Sequence, residues 1–394
     1  MTDPIDNTTP RSPATFGDDL AFLKQHTEVI VLSDKTGAAQ IVLTPAIQSR
    51  VMTSTADGLS GMSFGWINSE LIAEHRFHPL LNAFGGEDRF WLGPEGGQFG
   101  IFFAKGDPFD MAHAVTPAAL DREAFEMVSQ GADRACFHKA CQLTNYSGTS
   151  FDVELDREVR LLPAETAWKK LGVPAKPGVK LIAYESENCL TNVGEQAWQK
   201  ETGLLSIWVL GMYNPSPSTT VVFPIKTGAE AGLSPAANAD YFGTPPPDRL
   251  AVVDGVVYFS GDGQYRSKIG IGAMRCKPVM GSYDAANQVL TLAQFTLPPG
   301  ATDYVNSMWK LHDDPYGGDV VNSYNDGPPA PGAKPLGPFY ELESSSPAAA
   351  LAPGETLTHV HRTFHILGAE KQLDAVAQAT LGVSLQAIMA ALPK

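Results

Sequence analysis

Apolar residues recur along most of the chain in short runs with a period of two. Gly, Pro, Asn and Asp break the runs, a pattern that predicts β-strands joined by turns. The predicted strands are Glu28–Ser33, Gln40–Leu43, Arg50–Thr53, Phe99–Phe103, Ala135–Thr144, Phe151–Leu162, Lys180–Thr191, Ser206–Tyr213, Thr219–Ile225, Leu250–Phe259, Lys268–Met274, Gln288–Thr296 and Thr356–Leu367. Most are rich in Val, Ile, Phe and Tyr, which fit a pleated surface. Helical spacing is sparse. It predicts a short helix over Phe16–Thr27 and one or two helices over Glu370–Leu392, where Leu373, Val376, Ala377, Leu381, Leu385 and Ile388 recur around an interrupting Gly382. The fold class expected is therefore all-β with few short helices and a C-terminal helical segment. Residues 1–15 read as a flexible tail and 16–394 as one large domain. Two Pro-, Gly- and Ala-rich stretches, 226–249 and 327–338, read as long surface loops, which are frequently functional.

The densest local case for chemistry is Phe339 to Ile366, FYELESSSPAAALAPGETLTHVHRTFHI. Glu341 and Glu343 are two apart, as are His359 and His361, with His365 four further on, and even spacing in a strand puts side chains on one face. Acids and imidazoles sharing a face is the expectation. A histidine pair at alternate positions also suits a divalent metal, with His359 and His361 the candidate ligands, although local spacing fixes no third one. No other cofactor is expected.

Charge narrows the partners. A formal net charge of −15 and a pI near 5.0 argue against nucleic acid, whose binding draws on Lys and Arg displacing counterions. Four cysteines without paired spacing read as reduced, buried thiols. No apolar run approaches a membrane span and no secretory leader is visible, so a cytoplasmic protein is expected, or a periplasmic one if a leader has been removed.

A strand ending in Leu342-Glu343, a variable stretch, and then Leu351-Ala-Pro-Gly-Glu355 leading into an alternating strand resembles the end of the galactose mutarotase (aldose 1-epimerase) superfamily. The Gly-Gly, aromatic and Gly-Pro run in FGGEDRFWLGPEGG and the strand end at LTNYSG fit the same resemblance. It implies an antiparallel β-supersandwich with a sugar cleft on its concave side. It also implies a mutarotase or epimerase reaction in which Glu343 is the base that takes the anomeric hydroxyl proton. The family's histidine acid follows the middle Thr-Asn turn. Here that region reads LDREVRLL, without histidine, leaving His75, His78, His113 or a histidine of the 359–365 strand, His361 among them, as the candidate acid.

Sugar sites combine charged and amide groups that bracket hydroxyls with aromatic faces that stack on the ring. The segment around Glu87, Asp88, Arg89 and Trp91 has that composition, as do DGQYRSK with Tyr265, Arg266 and Lys268, and the stretch holding Trp309, Asn322, Tyr324 and Asp326. The partner expected is a sugar or oligosaccharide. Arg266 and Lys268 also suit an anionic sugar, so a lyase on an acidic or oxidised sugar stays open, as does a non-catalytic carbohydrate-binding protein. Ser63 in GMSFG has nucleophile-elbow spacing, but small polar residues precede it in place of a buried strand.

Overall fold

A computed structural model describes residues 14–228 and 234–393. Most of the expected tail, and residues 229–233 of the first long loop, lie outside the described residues.

In chain order the strands are β1 (Ile30–Ser33), β2 (Gln40–Thr44), β3 (Arg50–Thr55), β4 (Arg89–Gly93), β5 (Glu126–Gln130), β6 (Arg134–Thr144), β7 (Ser150–Leu161), β8 (Lys180–Asn192) and β9 (Ser206–Tyr213). Then come β10 (Thr219–Pro224), β11 (Leu250–Val253), β12 (Val256–Ser260), β13 (Ser267–Gly272), β14 (Val279–Asp284), β15 (Val289–Phe295), β16 (Asp319–Asn325), β17 (Tyr340–Ser345) and β18 (Thr356–Leu367). The helices are α1 (Phe16–His26), α2 (Ser69–Glu74), α3 (Ala164–Leu171), α4 (Glu370–Leu381) and α5 (Leu385–Ala390).

A ten-stranded antiparallel sheet runs β11-β12-β10-β14-β15-β18-β8-β7-β6-β5 and a five-stranded one runs β13-β16-β17-β9-β4, with β1-β2-β3 forming a small third sheet. The all-β expectation holds, and so does the pair of terminal helices. Gly382 separates α4 from α5 at φ 73, a left-handed cap that glycine adopts without a Cβ penalty. Leu373, Val376, Leu381, Leu385 and Ile388 pack on Val222, Leu290, Leu292, Phe364 and Ile366 of the large sheet. Phe99–Phe103 is turns and bends, not a strand; its apolar residues are buried as loop side chains. Leu250–Phe259 is a hairpin of two strands turning at Asp254 and Gly255, both with positive φ.

The faces of β17 position everything that follows. Its Tyr340 and Leu342 enter a core shared with Val221, Phe259, Met280 and Ala293 of the large sheet. Ser344 bonds His359 and His361 of β18 at 2.8 and 2.9 Å. Residues 340, 342 and 344 thus look inward between the sheets, and Glu341 and Glu343 look out from the other side of the small sheet.

Candidate active site

The outer face of the five-stranded sheet is the floor of a cavity of about 310 Å³, at the lower end of the ~300–1,000 Å³ typical of small-molecule sites. Register brings the floor together. Arg89 and Glu343 both lie opposite Leu210, Trp91 opposite Trp208, Glu341 opposite Met212, Lys268 opposite Tyr324, and Asn322 opposite Glu343. Loops build the walls: Leu80, Leu81, Phe102, Met111 and Ala114 on the β4 side, Asp240, Tyr241 and Phe242 on the β13 side, and Glu95 with Met308, Trp309 and Lys310 beyond the end of β4.

Glu343 is 1% exposed. Its Oε2 accepts hydrogen bonds from the Lys268 ammonium at 3.0 Å and the Trp208 indole at 2.9 Å, and its Oε1 is buried with no partner. Glu341 lines the cavity directly, while Glu343 lies one register pair further along β17, capped by the lining side chains Lys268 and Trp208. Burial and the neighbouring Glu343 charge hold the Glu341 carboxyl well above the ordinary range. Burial also pushes Glu95 up to about 7, against the pull of Lys268. Burial would lower the Lys268 ammonium, but Glu343, Glu341 and Glu95 together hold it above its usual value. The site therefore combines the Lys268–Glu343 ion pair with two carboxyls, Glu341 and Glu95, that burial pushes upward.

On the β13 side, Asp319 accepts from Tyr241 at 2.7 Å and Asn238 at 2.8 Å, and Asn322 donates to the Tyr241 hydroxyl at 3.0 Å. This network fixes the loop expected from composition alone. It needs Gly270, because a Cβ there would come within 2.1 Å of Asp319 Oδ2 and 2.5 Å of Asn322 Nδ2. Burial raises the Asp319 carboxyl, with the Tyr241 bond opposing, and lifts the Tyr241 phenol above its ordinary value. Arg266 lies over Phe242, 4.0 Å from the ring centre, and Tyr324 bonds Asp326 at 2.9 Å. On the opposite side the Arg89 guanidinium stacks 3.5 Å from the Trp91 ring and bonds Leu120 O and Asp121, with its pKa lowered mainly by burial.

The candidate residues from the sequence divide accordingly. Arg89, Trp91, Arg266, Lys268, Trp309 and Tyr324 line the cavity, while Glu343 is covered by Lys268 and Trp208 and Asn322 lies behind Tyr241. Asp326 holds Tyr324 and the Gly337 amide. Tyr265 is 43% exposed and stacks with Arg249 outside.

Glu87 and Asp88 face elsewhere: Glu87 bonds Ser54, Tyr184 and His365, and Asp88 bonds Arg157 and Ser186 between the sheets. Both are structural partners of the core, not cleft residues.

The expected shared face of acids and histidines is not formed. Glu343 and His361 lie on opposite sides of β17, because β18 belongs to the other sheet. His75 and His78 are exposed on the α2 loop, and His113, 40% exposed, pairs with Asp110; none of the three lines the cavity. His359 and His361 converge on Ser344, with Asp88 close enough to act on His361 by its charge, and among the described residues no three His, Cys, Asp or Glu side chains are grouped as a metal site. Ser63 bonds Thr53 at 2.6 Å and Asp19 at 2.5 Å, without a histidine. Trp208, Tyr241 and Phe242 join the site with no motif to mark them, Tyr241 and Phe242 from the long loop 226–249. Glu95 ends the charged, Gly-rich segment that begins at His75, whose composition is that of a sugar site.

The architecture defines a galactose mutarotase-like fold. The Slr1438 protein of Synechocystis sp. PCC 6803 is similar over 86% of this chain and 96% of its own, with TM-score 0.51 and 13% identity. A protein of Escherichia coli K12 that carries the provisional name aldose 1-epimerase is similar over 86% and 98%, with TM-score 0.51 and 11% identity. The chain itself belongs to DUF6786, a family of unknown function whose sequence model matches residues 14–392. No curated protein sequence matches it. Among the described residues no helix is long and apolar enough to cross a membrane.

Proposed function

We propose that the protein is a carbohydrate-active enzyme of mutarotase or epimerase type, built as one domain, with the outer face of the five-stranded sheet as its sugar site. The observation that carries this reading is the buried Glu343 carboxylate, held by Lys268 and Trp208 just beneath an aromatic-walled cleft, beside two carboxyls that burial pushes upward. General acid–base chemistry needs this division, one ionised and one neutral group in a single site.

Glu343 is the base of the pair it forms with Glu341, and Glu95 is the acid, a carboxyl in place of the histidine. The anomeric proton passes to the ionised pair, and the electrons of that O–H bond form the C1 carbonyl. The ring C1–O5 bond breaks and O5 takes the Glu95 proton. Rotation about C1–C2 and the reverse steps give the other anomer and restore both carboxyls. Arg89, Trp91, Trp309, Asn322 and Tyr324 orient the ring.

The test is anomer interconversion followed by NMR over a panel of aldoses, uronic acids and sugar phosphates. Acceleration over buffer for at least one sugar is expected; none for any of them rejects the reading.

Lys268 on β13, Arg266 just before it and Lys310, all lining the cavity, favour one second reading, a lyase on an acidic sugar. There a carboxylate would remove a proton next to a carbonyl while the cations meet the anion. An unsaturated product absorbing in the ultraviolet would distinguish it.

A further inference from the structure

The two sides of the cleft differ in chemistry. Toward β13 the lining is Asp240, Tyr241, Arg266 and Lys268, with Glu95 and Glu341 adjoining. Toward β4 it is Leu80, Leu81, Ala83, Phe102, Met111 and Ala114, continued on the floor by Leu210 and Met212, with Thr116 among them and the Arg89 guanidinium engaged by Trp91, Leu120 O and Asp121. The apolar wall is held in place: Thr116 donates its backbone N–H to Leu80 O, Val115 to Phe102 O, and the Trp91 indole bonds Leu120 O. Three large apolar side chains of the lining remain open to water, Met111 at 54%, Leu336 at 49% and Phe242 at 47%. In a chain of net charge −15, exposed apolar side chains gathered at the rim of one cavity mark a surface that a ligand covers. A bare monosaccharide, with hydroxyls around its ring, leaves such a wall unmatched, because hydroxyls facing Leu, Met and Phe lose water without gaining partners.

Resting on the sugar reading above, we propose that the ligand is a reducing sugar carrying an apolar substituent, aryl or acyl, away from its anomeric carbon. The ring and its C1 hydroxyl lie over Glu341, Glu343 and Lys268, and the substituent lies along Leu80, Phe102, Met111 and Met212 under the rim formed by Met111 and Leu336. The polar floor excludes a purely apolar occupant, since Glu341, Glu95 and Lys268 require hydrogen-bonding partners when water is displaced.

The experiment compares D-glucose and D-galactose with their 4-O-benzyl and 6-O-benzyl ethers, and with benzyl alcohol, by quenching of tryptophan fluorescence and by calorimetry. At least one ether should bind about tenfold tighter than its parent sugar, the gain expected from covering apolar wall. Met111→Ser and Leu336→Ser, at half-exposed positions where folding is little affected, should each reduce that gain while leaving the parent sugar's affinity within about twofold. Parent sugars that bind as tightly as every ether overturn the substituent and leave the sugar reading standing. Benzyl alcohol that binds as tightly as the ethers, with no binding of the parent sugars, overturns the sugar reading, and so does the absence of any binding.

Discussion

The two faces of β17 make an instructive pair. On one, Glu341 and Glu343 look into a cleft beside Lys268, and the charges there are compensated but unequal. On the other, Ser344 sits in the dry interior between two imidazoles, His359 and His361, that burial holds at about 3 and 4, far below the usual 6.5. One face keeps protons on acids and a charge on lysine; the other keeps histidines neutral. Both are polar and buried, but only the first opens onto a cavity, and only its groups divide into a proton donor and a proton acceptor near neutral pH.

The comparison breaks most sharply at adjacent residues. Glu343→Gln keeps size and removes the base, so the rate of anomer interconversion should fall by about 10²–10⁴-fold. Ser344→Ala, one residue on, should cost about 1–3 kcal/mol in denaturant unfolding, because it strips hydrogen bonds from two buried imidazoles, and should change the rate less than tenfold. The converse result, activity lost at Ser344 and retained at Glu343, would place the chemistry between the sheets.

How far this arrangement was legible from sequence depends on the residue. The acids of β17 and the period-two strand around His359 and His361 are plain in the pattern, and so are the resemblance at Leu342-Glu343 and the cluster at Arg89 and Trp91. What period two does not give is the sheet to which a strand belongs. Even spacing places His359 and His361 on one side of β18, but β17 pairs with β9 and β16, while β18 pairs with β8 and β15. The even-numbered face of β17 and the odd-numbered face of β18 then meet at Ser344. β16 escaped strand assignment because DVVNSYN carries amides and a tyrosine where a sheet with two apolar faces would carry Val or Ile. Its Tyr324 lines the cleft and its Asn322 bonds Tyr241 and Ile269 O, so polar contacts stand where the apolar signal would be. Phe99–Phe103 erred in the other direction, its aromatic run being burial without a ladder. Tyr241 and Glu95 come from loops, and only three-dimensional closure brings them to Lys268.

The inner face can be tested by acid. His359 and His361 are neutral when folded and have a normal affinity for protons when unfolded, so below about pH 6.5 the unfolded chain binds more protons than the native one. Stability should be complete above that pH and decline as pH falls through 6 toward 4, by on the order of several kcal/mol for the two together. Urea unfolding at stepped pH checks this. A protein in which both are replaced by the near-isosteric Gln should lose the steepest part of the decline, whatever its absolute stability. A slope unchanged in that variant would assign the acid sensitivity to the carboxylates instead.

The smallest effect sharpens the outer face, because it separates the acid from the base. Glu95 titrates at about 7, so as pH rises through 7 the carboxyl loses the proton it donates to the ring oxygen. The rate should then fall about tenfold per unit on that limb. Burial and the Glu343 charge raise Glu341 as well, but the value near neutrality belongs to Glu95. Lys268, raised by the three carboxyls around it, stays charged, so the positive side of the cleft is constant while Glu95 titrates. Glu95→Gln should therefore lower the plateau and flatten the alkaline limb, whereas Glu341→Gln should lower the rate without moving the limb. A limb that persists in Glu95→Gln and vanishes in Glu341→Gln would transfer the donor role to the residue on the strand.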